Sequence, residues 1–378
     1  MTGAVRHLYV HLPFCAHRCG YCDFVTVVGR RGQHAAYVDG LLAELELERE
    51  LLDVELETVF LGGGTPTFTE PRELERLLAG LPAAAEVTVE ANPETVTPAL
   101  AGLLRSNGVS RVSLGAQTFQ PELLGVLDRV AGPDDVRCAV YHLRDAGFDN
   151  ISLDLIYGIP GQRPSDLAAD IGEALELRPE HLSCYELEAK PGTRFTHAHG
   201  EELRRQAEAM EGYFEFVVET LVGAGYRWYE TANFCRAGGS RDLRSRHNLA
   251  YWWGRDYLGL GIGAVSTVRG QRWRTTPRLG PYLAALGDGR RPLRELEAIP
   301  DSLQREERVM LGLRLDEPLP LAAVAPSLDA EALARLERLG LARRVSLSDG
   351  EPPAAASALT LTPRGRLLGD AVTADLLA

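Results

Sequence analysis

Over the first 235 residues, short apolar runs alternate with longer amphipathic segments, and this pattern constrains the fold more than any other feature. HLYVHL (7–12), TVFLGGGT (58–65), EVTVEAN (86–92), RVSLGAQ (111–117), NISLDLIYG (150–158) and HLSCYELE (181–188) read as strands. Helices are expected at 34–52, near 70–80, near 97–106, up to about 147 with a proline and glycine break, at 164–177 and near 200–223. RWYETANF (227–234) reads as one more strand. Strands apolar at most positions are covered on both faces. Repeated β–α units imply a parallel sheet with right-handed crossovers. Polar residues recur at the C-terminal ends of successive strands: Gly62 to Thr65, Glu90, Gln117, Asp154 and Glu186. In a barrel those ends share one mouth, where such enzymes keep their sites. The expected fold class is α/β, a partial (β/α) barrel.

After residue 300 the pattern changes. Helices are expected at 302–315 and 330–344, and strand, turn and helix at 358–377, which suggests a small winged-helix-like α+β domain. The expected organisation is a barrel core over 1–235, a connecting region over 236–300 and a C-terminal domain over 301–378, with a low-complexity linker at 348–358. Residues 301–378 carry nine Arg against twelve Asp and Glu. A net acidic wing is a poor DNA reader, so a structural or docking role is expected there. The whole chain has a net charge of −13, which argues against broad binding to nucleic acid or anionic membranes. Basic pockets remain open to it, and 39 of its 40 basic residues are Arg, Lys190 being the exception. No secretory leader is expected, and no apolar run approaches the roughly 20 residues of a membrane-spanning helix. A soluble cytoplasmic protein is therefore expected, with no transmembrane anchor and peripheral membrane contact left open.

Three of six cysteines fall within eight positions of HLPFCAHRCGYCDF, as Cys15, Cys19 and Cys22. In a cytosolic chain such clusters bind metal or run redox chemistry. Structural zinc takes four ligands, and here the fourth would be His11 or His17. Disulfide exchange uses one C-x-x-C pair, which leaves Cys15 idle. A [4Fe–4S] cluster normally takes four cysteines; with three, one iron keeps a position open to a small chelating molecule. Cys138, Cys184 and Cys235 are expected to be core residues. The glycine run GGGTPT (62–67) follows a strand, where its N–H groups could form a nest for an anion; the plainer reading is a tight β–α turn. Glu90, Gln117, Arg129 and Asp154 can likewise be rim hydrogen-bonding groups.

C-x3-C-x2-C with Tyr21 before the last cysteine resembles the cluster loop of the radical S-adenosylmethionine (SAM) superfamily. The resemblance implies a [4Fe–4S] cluster on Cys15, Cys19 and Cys22, SAM chelated to its open iron, an electron donor to the cluster, and a partial barrel of the radical SAM type. VEANPE (89–94), SLGAQTF (113–119) and DLIYGIPGQ (154–162) resemble motifs of the coproporphyrinogen III dehydrogenase group, which includes the HemN and HemW types. That resemblance covers most of the chain. It implies that Tyr9, Gly63 and Glu90 serve a first SAM, and that Tyr21, Gly64, Thr65, Gln117, Arg129 and Asp154 match a second SAM site.

Two details lean towards the haem-chaperone branch. Phe24 stands where the dehydrogenase typically has a further cysteine, and the stretch before Tyr9 is short. HNLAYW (247–252) is similar to the H-N-x-x-Y-W motif of HemW-type proteins, which implies haem contacts from His247, Asn248, Tyr251 and Trp252. Histidine is a common haem ligand, and Tyr251, Trp252 and Trp253 offer flat apolar surface. Otherwise His247 and Asn248 hydrogen-bond a loop while the aromatics pack on the barrel. One departure is Val265, where HemW-type sequences often carry a second histidine. His197 and His199 are expected in a loop, where they could be ligands; the plainer reading is solvent-exposed loop histidines. The expected function is a haem chaperone with haem-accepting partners. The alternatives are an oxygen-independent coproporphyrinogen III oxidase and a radical SAM enzyme of another specificity.

Overall fold

The computed structural model describes residues 4–190, 194–346 and 357–377. The expected linker at 348–358 lies almost wholly outside them. Nine strands form the main sheet: β1 (His7–Leu12), β2 (Leu56–Gly63), β3 (Ala84–Ala91), β4 (Arg111–Gln117), β5 (Ile151–Tyr157), β6 (His181–Glu186), β7 (Tyr226–Glu230), β8 (Asn233–Arg236) and β9 (Leu258–Leu260). Their order is β9-β1-β2-β3-β4-β5-β6-β8-β7. From β9 to β6 every pairing is parallel, and β8 and β7 complete the array as an antiparallel hairpin. The array is open-ended, a partial barrel, with the C-terminal ends of β1 to β6 at one mouth. Central strands such as β2 and β4 are buried along almost their whole length, as a sheet covered by helices requires.

The covering helices begin where proline fixes their first turn: Pro71–Gly80, Pro98–Ser106, Pro133–Asp145 and Pro164–Glu176. Proline suits that position because its missing N–H has no helical partner there. Thr97 adds a side-chain cap, accepting from the Leu100 N–H at 3.2 Å.

Several elements differ from expectation. The helix expected over 200–223 is two helices, Arg194–Gln206 and Met210–Gly223, so His197 and His199 lie on a helix rather than in a loop. The strand expected at 227–234 is the β7–β8 hairpin. The helix expected over 330–344 ends at Arg338, because Gly340 adopts a left-handed φ of 67° and the chain continues as a strand, Ala342–Val345. Cys184 and Cys235 are buried, but Cys138 is exposed on the outer side of Pro133–Asp145.

Residues between Val309 and Leu376 enclose an apolar cluster of their own. A three-stranded antiparallel sheet (Leu319–Pro320, Ala358–Leu361, Ala342–Val345) lies beside helices Asp301–Gly312 and Ala330–Arg338, in the winged-helix manner. This unit covers the β7 edge. The Asp316 N–H donates to the Tyr229 carbonyl at 3.0 Å, Arg227 grips Asp316 at 2.7 and 2.9 Å, and the Arg366 guanidinium lies 3.7 Å from the Trp228 ring centroid. Covering an edge strand removes a row of unpaired backbone groups.

Helix His34–Glu48 carries a buried carboxylate across to the loop after β9. Glu44 accepts from the Gly261 N–H and the Tyr282 hydroxyl, both at 2.8 Å, and burial pushes its carboxyl up to about 7. An acid whose native pKa lies above its unfolded value stabilises the fold below about pH 4.5. That contribution is lost as pH rises towards 7, by as much as about 3 kcal/mol. Denaturant unfolding between pH 5 and 8 is expected to show this decline, and Glu44→Gln should remove that share of the slope.

Candidate functional site

The cysteine loop leaves the end of β1 and is pinched at its neck. Phe14–Cys15 pairs in parallel with Val27–Val28, and the Val27 N–H donates to the Pro13 carbonyl at 2.8 Å. Cys15 is buried at the neck, while Cys19 and Cys22 are half-buried further along. All three line one cavity of about 350 Å³ at the barrel mouth. No group of three or more His, Cys, Asp or Glu side chains among the described residues is arranged to hold a single metal ion. The three thiols border one shared space at the mouth.

A chain of hydrogen bonds runs round that space. Thr65 Oγ1 donates to Cys15 Sγ at 3.5 Å, and Asn92 Nδ2 donates to Thr65 Oγ1 at 3.2 Å. Asn92 Oδ1 accepts from both terminal nitrogens of Arg129 at 3.2 Å, and Arg129 reaches Cys19 Sγ at 3.8 Å. Arg129 also donates to the Gly115 carbonyl at 2.7 Å, and its buried Nε has no partner. Burial pushes the Cys15 thiol up; Thr65 and the Arg129 charge pull it back down. Three thiols with a hydroxyl and a guanidinium behind them fit an anionic thiolate-bound cluster.

The glycine run lines the same cavity, but its N–H groups form no nest. Gly63 N–H donates to Glu90 Oε2 at 3.1 Å, Gly64 N–H to the Leu12 carbonyl at 2.8 Å and Thr65 N–H to the Phe14 carbonyl at 3.0 Å. What the run supplies is room. A methyl at Gly64 would lie 2.5 Å from the Pro13 oxygen and 2.9 Å from Cys15 Sγ, and Gly63, at φ 112°, abuts the His11 ring.

The remaining expected residues converge here from different strands. Tyr21, Gln117, Arg129, Glu90 and Asp154 all face the mouth cavity. Gln117 ends β4 on a register shift with φ 65°, a left-handed value rare for a residue with a side chain. Glu90 is pushed up to about 7 by burial and by the nearby Asp154. Asp154 is also raised by burial, and accepts from Ser113 Oγ at 3.1 and 3.3 Å. Tyr9 lies one level lower, beside an inner cavity of about 250 Å³ whose walls also include Gly63, Glu90 and Asp154.

His247 and Asn248 face this inner cavity too. His247 is 1% exposed, with Nδ1 2.7 Å from Thr58 Oγ1 and Nε2 3.0 Å from the Tyr251 hydroxyl. Burial pushes it down to about 3, so its ring is neutral and both nitrogens are engaged. Tyr251 meets Tyr257 edge-on at 4.5 Å, and Trp252 lies beneath the Arg314 guanidinium at 4.6 Å.

Two residues escaped the sequence reading. Asn92 joins the two halves of the hydrogen-bond chain; it stands in the ANP turn after β3. Arg111 is 1% exposed and faces the inner cavity. Its position at the start of an apolar strand was the available signal.

The profile of the radical SAM superfamily matches residues 9–174. The haem chaperone HemW of Mycobacterium tuberculosis (strain H37Rv) is 36% identical over 393 aligned positions, spanning 100% of this chain and 96% of that protein. The chain belongs to the HemW family of radical SAM proteins. HemW of Bacillus subtilis (strain 168) is 34% identical, across 97% of this chain and 98% of its own length. HemW of Escherichia coli (strain K12) is 35% identical across 72% and 74%. The fold matches that of the Escherichia coli coproporphyrinogen III oxidase HemN with a TM-score of 0.80 at 22% identity, covering 99% of this chain and 90% of that one. Membership of the radical SAM superfamily implies a [4Fe–4S] cluster and SAM.

The methyl of Gly64→Ala would press on Cys15 and the neck of the loop. Anaerobic reconstitution of that variant is expected to incorporate less than half the iron and sulfide of the parent, measured by iron and sulfide assay. Gly125→Ala, on a helix with open space around it, should match the parent.

Proposed function

We propose that this protein is a haem chaperone: it binds haem, carries a SAM-ligated [4Fe–4S] cluster at the barrel mouth, and hands haem to acceptor proteins. The observation that carries this reading is the likeness to HemW relatives along essentially the whole chain. Cys15, Cys19 and Cys22 would hold the cluster, with Thr65 and Arg129 stabilising thiolate charge. Tyr9, Gly63 and Glu90 would contact the SAM on it; Tyr21, Gly64, Thr65, Gln117, Arg129 and Asp154 would serve a second one. When bound, such a cluster supplies an electron to SAM. The chain's own residues supply a mouth lined by charged groups of both signs, among them Arg129, Asp154 and Glu186, with Glu90 poised to hold or release a proton near neutral pH.

For haem, the HNLAYW helix supplies two different surfaces. His247 and Asn248 face into the barrel, while Tyr251 and Trp252 also border cavities outside it. Ligation by His247 requires the Tyr251 hydroxyl to leave Nε2. The reading carries with it a cytoplasmic location, an electron donor and haem-accepting partners. Among the described residues no helix is long and apolar enough to cross a membrane. Phe24, 61% exposed at the edge of the mouth, leaves the loop without the further cysteine typical of the dehydrogenase branch.

The decisive experiment is a haem titration of purified, anaerobically reconstituted protein, followed by its Soret band. A saturable band with one haem per chain is expected, and no protoporphyrinogen should form from coproporphyrinogen, SAM and reductant. Absence of haem binding would overturn the reading; formation of protoporphyrinogen would replace it with the oxidase. If His247 ligates iron, His247→Ala weakens the band, and Tyr251→Phe, which frees Nε2, binds at least as tightly as the parent. An unchanged band in His247→Ala removes His247 from the ligand set.

A further inference from the structure

Outside the barrel, the end of the HNLAYW helix, the hairpin Val265–Val268 with Gln271–Thr275, and helix Asp301–Gly312 enclose a cavity of about 680 Å³. Four arginines line it: Arg255, Arg272, Arg305 and Arg308. Arg272 is held by Glu307 through two hydrogen bonds of 2.8 and 2.7 Å. The other three make no ion pair among the described residues. Arg308 donates to the Trp252 carbonyl at 2.9 Å, and the buried Nε of Arg305 has no partner. Of the acidic residues in the wall, Glu307 is taken by Arg272, while Asp256, which accepts the Arg269 N–H at 2.9 Å, and Asp301 make no ion pair among the described residues. Burial and the like charge of Arg255 both act against the charge on Arg308.

With Glu307 held by Arg272, the other three guanidinium groups face two carboxylates in the wall, Asp256 and Asp301, and a ligand with anionic groups relieves that surplus of positive charge. The same cavity has an apolar side formed by Tyr257, Ile299, Met310 and Leu311. Met310 is 53% exposed, a large apolar group facing solvent at the cavity edge. Met310 and Leu311 also border a second cavity, of about 720 Å³, walled by Trp252 and Phe214 between the barrel and the C-terminal unit. The two spaces therefore meet over one methionine and one leucine. Consecutive motif residues frame them, Tyr251 on the arginine side and Trp252 on the other.

A ligand matching both halves has carboxylates at one edge and a broad apolar body. We propose that Arg255, Arg305 and Arg308 receive the two propionates of haem, whose macrocycle lies over Met310 and Leu311 towards Trp252. This inference rests on the haem-chaperone reading and adds a location and a means of recognition to it. It leaves His247 inside the barrel, where it fixes the Tyr251 side chain through its hydroxyl.

The test uses the full-length protein and three probes: haem, metal-free protoporphyrin IX and protoporphyrin IX dimethyl ester, followed by Soret absorbance or porphyrin fluorescence. Charge-assisted hydrogen bonds to two carboxylates should make the diacid bind at least about tenfold more tightly than the diester. The double variant Arg255→Gln with Arg305→Gln is expected to lose that preference through weaker diacid binding, with diester affinity unchanged. Met310→Glu, at an exposed position, should weaken both diacids by about tenfold through charge repulsion and lost apolar contact. Arg290→Gln, on an exposed arginine paired with Asp288, should change nothing. Equal affinity of the parent protein for diacid and diester would overturn the proposal without any variant having to fold. So would a double variant that keeps the parent's diacid preference; haem binding would then stand, with its site elsewhere. Failure of the parent protein to bind haem or protoporphyrin would remove both the site and the chaperone reading.

Discussion

The barrel interior depends on one buried positive charge. Arg111 begins β4 with its guanidinium inside the barrel, sealed from solvent, where an isolated ion is strongly disfavoured. Its field draws down the raised pKa values of Glu86, Glu90 and Asp154, which burial alone would push higher still. The same field opposes protonation of His181 and His247. Arginine can only donate, so its contact with His181 Nδ1 at 3.3 Å makes that nitrogen an acceptor. The proton of neutral His181 then sits on Nε2 and points at the Tyr229 hydroxyl, 2.8 Å away. One guanidinium thus makes two carboxylates tolerable beneath the mouth and fixes the state of the histidine next to it.

The mouth and the floor are connected through short, named contacts. Glu90 belongs to the walls of both cavities and holds the Gly63 N–H, so the turn beside the cysteine loop is tied to the interior. Tyr9 reaches His11, 3.0 Å away, whose other nitrogen lies 2.8 Å from the Val25 carbonyl at the far end of the cysteine loop. From the other side, His7, Thr58 and His247 are joined at 2.9 and 2.7 Å, and Tyr251 extends the line to the outer cavity. The motif helix is therefore part of the barrel floor as much as of any surface. A change at His247 leaves Thr58 and Tyr251 without their buried partner, which is a large perturbation on its own account.

Much of this was legible from the residues. The strands of the parallel sheet are apolar because both faces are covered, and polar residues at their ends mark the mouth. Cys15, Cys19 and Cys22 stand close in sequence, so their grouping needed no tertiary knowledge. Asn92 and Arg111 were illegible for the opposite reason. Asn92 matters only because Thr65 and Arg129, 27 and 37 positions away, close on it. Arg111 reads as a polar strand edge until register turns it inward. The glycine run pointed to the right place for an incomplete reason: it makes room for His11, Glu90 and Cys15 while its N–H groups bond the protein itself. β9 was hidden inside DYLGLGIGA, where three strand residues lie among glycines. Which way His247 turns was not legible, because a sequence does not disclose which of two faces a short helix turns inward.

The C-terminal unit acquires a specific role from its contacts. Its acidic balance makes it a poor partner for nucleic acid, and the ion pairs Arg227–Asp316, Arg314–Glu230 and Arg244–Glu317 attach it to the barrel edge. Those pairs use up acidic side chains at the seam, whereas Arg255, Arg305 and Arg308 line the outer cavity with no ion pair among the described residues. Helix Asp301–Gly312 borders both the seam cavity and the outer cavity, which share Met310 and Leu311. Had the domain served only to cover β7, arginines in that outer cavity would be a destabilising surplus in a compact acidic protein. The surplus of arginines over carboxylates there is the physical basis of the binding face proposed beside the seam.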